Sequence, residues 1–283
     1  MAVLEVKNLT HIYSEGTPFE KDAIRDVSFS VETGELIGVI GHTGSGKSTL
    51  VQHLNGLLKP NSGTILLNGR DIWAEPKEIR KVRFQVGMVF QYPEHQLFEE
   101  TVFQDISFGP TNMGLPESEI KERVYTAAKF AGLREELLEK SPFDLSGGEK
   151  RRAAIAGVIA MDPSILILDE PTAGLDPMGR DDLLEQIQKY HQERKNTVLL
   201  VSHSMEDIAK LSDRVLVMNQ GRLAFFDTTP KVFSRGEELT AMGLQIPQVT
   251  RVFHLLKAMG YPVDTGTYTL AEAKKQAERL LRR

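Results

Sequence analysis

The 283-residue sequence contains no cysteine. That excludes disulfides, cysteine-ligated metals and thiol nucleophiles, and it fits a reducing compartment. The chain also lacks a long hydrophobic run. Its longest candidate, 153–161, falls well short of the ~18 apolar residues of a membrane span, so action at a membrane would require another anchor. There is no excess of positive charge either: the net charge of −5 argues against general nucleic-acid binding. The opening residues, Met-Ala-Val-Leu-Glu-Val, have neither a basic nor an apolar signal region, and no secretion signal is expected. No internal repeat or low-complexity segment is visible. The remaining composition, 41% hydrophobic and 26% charged, is that of a soluble globular protein long enough for one large α/β domain and a small appendage.

Hydrophobic spacing orders the chain. Leu4, Val6 and Leu9, with Val27, Phe29 and Val31, alternate as strands of an antiparallel sheet do. The apolar run 35–40 predicts a buried strand, and 47–58 has helical spacing through Leu50, Val51, Leu54 and Leu58. Residues 64–67 followed by Asn68-Gly69 predict a strand and tight turn. Residues 86–90, 165–168 and 197–201 read as strands covered on both faces. Residues 116–139 turn helical, and 215–218 with 223–226 predict a closing hairpin. After about residue 230 the character changes. Val252, Leu255, Leu256 and Met259 form a helical stripe ended by Gly260, and Thr269 with Glu272 forms a capping-box pattern for a last helix. The expected division is 1–230 and 231–283.

Three motifs carry chemistry. Gly41, Thr43, Gly44, Ser45, Gly46, Lys47 and Ser48 lie in the pattern G-x-x-x-x-G-K-[ST], after a strand and before a helix. Such a loop wraps backbone N–H groups around a phosphate chain, while the helix adds its positive end. Lys47 supplies charge near the β- and γ-phosphates, Ser48 a hydroxyl ligand for Mg2+, and Thr49 a further phosphate hydrogen bond. The strand 165–168 ends in Asp169 and Glu170, at the strand edge where ligands bind in open α/β sheets. Asp169 is placed to hold Mg2+ through water, and Glu170 to orient the attacking water. Third, Ser146, Gly147 and Gly148 open a helix with a capping serine and a bare N-terminus, a second anion site.

In this order the motifs resemble the ATP-binding cassette family over roughly residues 1–230. The resemblance implies a P-loop NTPase fold of α/β class: a RecA-like mixed-sheet core, an antiparallel β subdomain and a helical subdomain carrying the signature. It implies ATP hydrolysis with Mg2+ by two cassettes stacked head to tail. The signature at Ser146, Gly147 and Gly148 of one then closes on the γ-phosphate held by the other. By the same resemblance Tyr13 stacks on adenine, and Gln91 senses Mg2+ and the attacking water. His203 contacts the γ-phosphate, and Asp176 passes information between sites. Glu170, His203 and Gln91 form the catalytic set; Ser48, Gln91 and Asp169 form the metal set.

A single set of motifs, with no coiled-coil insertion, favours transport over a soluble repair or regulatory ATPase. The segment 91–102 and the tail at 242–247 are similar to the energy-coupling factor group, CbiO-like, and closest to the second ATPase of heterodimeric systems. That implies an importer of vitamins or transition-metal ions, with the chain peripheral on the cytoplasmic face of the membrane. The implied partners are a second ATPase (a heterodimer being favoured over a homodimer), a transmembrane coupling protein and a substrate-capturing membrane protein, with no nucleic acid. Glu94, Leu97, Phe98, Glu99 and Glu100 are the expected contacts for the coupling protein, unless Leu97 and Phe98 tuck into the local core. The extension 231–283 is expected to hold two ATPases together through its apolar stripe, or else to pack on its own cassette.

Overall fold

The computed structural model describes residues 2–281, so residues 1, 282 and 283 of the two expected spans lie outside the described residues. Strands β1 (Ala2–Tyr13) and β2 (Lys21–Glu32) form an antiparallel hairpin. Strand β3 (Leu36–Ile40) leads through the glycine-rich loop into α1 (Lys47–Leu54). Strand β4 (Ser62–Leu67) pairs with β1 and turns through Asn68 and Gly69, both at positive φ, into β5 (Arg70–Asp71). The first sheet therefore runs β2-β1-β4-β5.

Helix α2 (Ile79–Gln85) precedes β6 (Val86–Val89). Helices α3 (Val102–Asn112), α4 (Glu117–Phe130) and α5 (Gly147–Ile159) pack on one another. Then follow β7 (Ile165–Asp169), α6 (Pro177–Arg194), β8 (Thr197–Val201), α7 (Met205–Leu211) and the hairpin of β9 (Arg214–Asn219) with β10 (Arg222–Thr228). The second sheet runs β10-β9-β3-β8-β7-β6 and is parallel except for β10.

Two cores explain why the parallel strands are continuously apolar. Along β8, Val198 and Leu200 face one core, made with α3 to α7. Leu199 and Val201 face the other, made with α1 and the antiparallel sheet. The same alternation holds in β7, with Leu166 and Leu168 against Ile165 and Ile167. A strand buried on both faces needs an apolar residue at every step.

Two predicted helices are shorter than their periodicity indicated. The run 47–58 is helical only to Leu54, because Asn55 turns its amide onto the Val86 carbonyl and the amides of Leu57 and Leu58 fold back onto Gln52. The stretch 116–139 is one helix to Phe130, then a tight turn at Gly132 and a short 3-10 turn at 135–137.

The tail comprises α8 (Thr229–Phe233), α9 (Gly236–Ala241), α10 (Gln248–Ala258) and α11 (Leu270–Leu281). Val232, Phe233, Leu239 and Leu244 enter the first core, and Tyr268 stacks on Phe233 at 6.1 Å between centroids. Thr269 and Glu272 form the predicted capping box of α11. Helix α10 faces inward through Thr250 and Phe253, which leaves Val252, Leu255 and Met259 51%, 59% and 72% exposed.

His53, on the inner side of α1, is fully buried, and its pKa is lowered to about 4. Burial is the largest cause and neighbouring His11 adds to it, while backbone hydrogen bonds at Thr49 and Lys59 oppose. The unfolded chain therefore binds a proton that the folded chain refuses between roughly pH 6.5 and pH 4, and stability falls as pH falls through that window. Urea unfolding should show a loss of about 2 kcal/mol between pH 7 and pH 5 from this group. In His53→Phe that share of the acid slope should disappear.

Candidate active site

The phosphate loop is shaped before any ligand arrives. The Ser45 amide donates to the His42 carbonyl at 3.1 Å, and Gly46 caps α1 at φ 100°. A Cβ on Gly46 would sit 2.6 Å from the Ala23 carbonyl oxygen, so only glycine fits. The first turn of α1 carries no acidic residue, which leaves its amide dipole for an anion. Lys47 is buried at the loop mouth and donates to the carbonyls of Gly41 at 2.7 Å and His42 at 3.3 Å. Burial lowers its pKa, and the charges of Glu170 and Asp169 oppose that.

Three adjacent strands, β8, β7 and β6, deliver the remaining groups. Asp169 ends β7, 6% exposed, with the Ser48 hydroxyl beside it. Burial raises its pKa, against the pull of Ser48, Lys47 and His203. Glu170 follows at φ 54°, with its amide donating to the Val201 carbonyl at 3.0 Å. Its Oε1 lies 2.8 Å from Nε2 of His203, which comes from the end of β8. Burial raises the Glu170 pKa and Asp169 adds to the rise, while His203 and Lys47 oppose it. Gln91 stands two residues beyond Val89, the last residue of β6, which pairs with Leu168 of β7. The pair Ser48–Asp169 is a hydroxyl beside a carboxylate. It fits a hard cation whose other ligands are phosphate oxygens and water.

Tyr13, 38% exposed, leans its hydroxyl toward the Thr49 Oγ1 at 3.3 Å. Ser146 caps α5 in a full capping box with Glu149, and positions Gly147 and Gly148 have open space around them. Asp176 is exposed and caps α6 through the Gly179 amide at 2.9 Å. The phosphate-loop, acidic-strand and histidine residues thus converge. Ser146 and Asp176 each bond the first turn of their own helix.

A family profile described as "ABC transporter" matches residues 24–173, more than half of the chain. Energy-coupling factor transporter ATP-binding protein EcfA2 of Caldanaerobacter subterraneus subsp. tengcongensis is 52% identical over 279 residues, covering 99% of this chain and 98% of that one. The protein of the same name from Clostridium tetani is 52% identical over 274 residues, covering 96% and 95%. The chain belongs to the ABC transporter family, among its energy-coupling factor ATP-binding proteins. It is an ATP-binding subunit and an ATP hydrolase. Among solved structures, cbiO1 from Clostridium perfringens, described as part of the ABC transporter complex cbiONQ, matches with TM-score 0.76 and 40% identity, over 90% of this chain and 99% of that one. A dimeric ATP-binding cassette in a post-hydrolysis state with ADP and Pi matches with TM-score 0.72 and 26% identity, over 80% and 98%.

In this ABC chain the sequence motifs omit a buried cation. Arg151, 4% exposed on α5, grips Glu94 through Nε at 3.0 Å and Nη2 at 2.7 Å. Its Nη1 donates to the carbonyls of Pro171 and Ala173 at 3.3 and 2.5 Å. One guanidinium thus joins the signature helix, the segment after Gln91 and the loop after Glu170. Glu94 was expected to await a basic partner; it is instead held internally, its pKa pulled down by Arg151 against the effect of burial.

Gln96, Leu97 and Phe98 of that segment border a cavity of about 620 Å3, lined also by Leu57, Phe84, Phe90 and Phe108. Leu97 is half-buried against the core, while Phe98 is exposed and meets Phe108 edge-on at 5.2 Å. Asp105 also borders the cavity, its Oδ1 accepting the amides of Phe98 and Glu99. A larger cavity, about 1110 Å3, lies between β5 and α2 among Arg70, Glu75, Glu78 and Lys81, and holds none of the catalytic candidates.

Arg151→Met leaves the Glu94 carboxylate without its partner and should cost about 3 kcal/mol in urea unfolding. Arg151→Met with Glu94→Leu should recover much of that loss. Equal losses in the single and double variants would show that the pairing is not what stabilises this junction.

Proposed function

We propose that the chain powers an energy-coupling factor importer for vitamins or transition-metal ions, hydrolysing MgATP against a second ATPase subunit. The observation that carries this reading is the meeting of Ser48 with Asp169 and of Glu170 with His203 along one sheet edge. Tyr13 stacks on adenine, and the residues Gly41, Thr43, Gly44, Ser45, Gly46, Lys47 and Thr49 bind the phosphates. Ser48 and Asp169, with Gln91, would hold Mg2+, which when bound neutralises charge on the phosphate oxygens. Glu170 orients the attacking water. Its raised pKa brings the carboxylate nearer the range in which a base works at neutral pH. His203 fixes the Glu170 carboxylate and faces the γ-phosphate. Ser146, Gly147 and Gly148 of the partner close over that phosphate, and Asp176 links the two sites.

A heterodimer is the assembly favoured here. The extension 231–283 holds it together through the stripe Val252, Leu255, Leu256 and Met259, of which Leu256 is half-buried and the other three are exposed. The cavity beside Leu97 and Phe98 receives a segment of a transmembrane coupling protein, with Asp105 on its lining and Glu99 and Glu100 next along the chain from Phe98. A separate membrane protein captures the cargo. The chain then sits peripherally on the cytoplasmic face, in keeping with the fact that no described helix is long and apolar enough to cross a membrane. The rival reading, a soluble repair or regulatory ATPase, has no support in the names of the relatives.

Glu170→Gln should reduce ATPase turnover by about a hundredfold or more while ATP binding persists, and should trap a nucleotide-bound dimer visible by size-exclusion chromatography. Normal turnover would remove Glu170 from its role. A tagged pull-down from detergent-solubilised native membranes should recover a polytopic membrane protein and a second, different ATPase. Recovery of soluble partners alone would overturn the transport reading and leave the ATPase intact.

A further inference from the structure

Beneath the proposed adenine face lies a chain of rings that the phosphate chemistry does not use. His11 precedes Tyr13 on β1, and their rings meet edge-to-face at 4.6 Å between centroids and 86°. His11 in turn meets His53 of α1 at 4.6 Å and 69°. His53 Nδ1 lies 2.7 Å from the carbonyl oxygen of Thr49, one helical turn earlier. A carbonyl only accepts, so Nδ1 carries the proton and donates. The Tyr13 hydroxyl lies 3.3 Å from the Thr49 side-chain oxygen, which closes the circuit Tyr13–His11–His53–Thr49. Both imidazoles are buried, and burial lowers the pKa of each, which keeps the rings neutral at physiological pH.

We propose that His11 and His53 are positioning residues that fix the Tyr13 ring relative to the phosphate-loop helix, so that adenine meets a preformed platform. The inference rests on the reading of Tyr13 as the adenine-stacking residue. Tyr13 ends a strand and is partly exposed, so without support its ring samples several rotamers, and ordering it on binding weakens affinity. The imidazole edge takes up that ordering in the folded chain. Because the circuit closes on Thr49 of α1, the base platform and the phosphate cradle are set by one helix.

The test compares binding of MgATP and of inorganic tripolyphosphate to the full chain at neutral pH, with thermal unfolding of each variant. His11→Leu should weaken ATP binding about fivefold and leave tripolyphosphate binding unchanged. His11→Phe, which keeps a ring edge against Tyr13, should restore ATP binding. ATP affinity unchanged in His11→Leu, or equal losses for ATP and tripolyphosphate, would overturn the proposal. If the leucine variant does not fold, His11→Gln removes the ring and is read by the same comparison. Tyr13→Ala separates the two levels. If it fails to weaken ATP relative to tripolyphosphate, the adenine reading itself is wrong and the support role falls with it. If it does weaken ATP and His11→Leu does not, only the support role is wrong.

Discussion

Strands β3, β8, β7 and β6 lie side by side and run the same way, so their carboxyl ends share one edge. Backbone hydrogen bonding sets this arrangement, and the side chains at the edge inherit it. The phosphate loop leaves β3, His203 lies beyond β8, Asp169 ends β7 with Glu170 next, and Gln91 lies beyond β6. None of these residues needs a long-range contact of its own to reach the site, because the register delivers it. The two cores hold the register, since slipping any strand by one residue would exchange the faces its side chains present.

That dependence explains what the sequence could disclose. The phosphate loop, the strand ending in Asp169 and Glu170, and the caps at Ser146 and Thr269 are local devices. Each is written within a few residues, and each appears in the structure where its pattern stands. Helix ends were less legible. Leu58 keeps helical spacing, but the competing bond from Asn55 to Val86 comes from a strand far along the chain.

Partnerships between distant residues were not legible at all. Glu94 and Arg151 are 57 positions apart, and the acidic segment around Glu94 read as a surface awaiting a basic partner. Nothing local says that a guanidinium from the signature helix already occupies it. His11 and His53 were hidden for the same reason. One lies on a strand and the other on a helix, and only the packing of the antiparallel sheet over α1 brings them together. In the tail, the stripe of α10 was visible, but its direction was not. Phe253 and Thr250 took the inward side, and Val252, Leu255 and Met259 of the stripe were left outside.

The Arg151 fork also constrains how this chain can drift over generations. Its guanidinium answers a side-chain carboxylate on one segment and two backbone carbonyls on another, so the side chains at 94 and 151 depend on each other while the 171–173 loop contributes only main chain. A lineage that first loses the arginine strands a buried anion. One that first loses the glutamate strands a buried cation. The passable routes change both together or pass through a background stable enough to carry the intermediate.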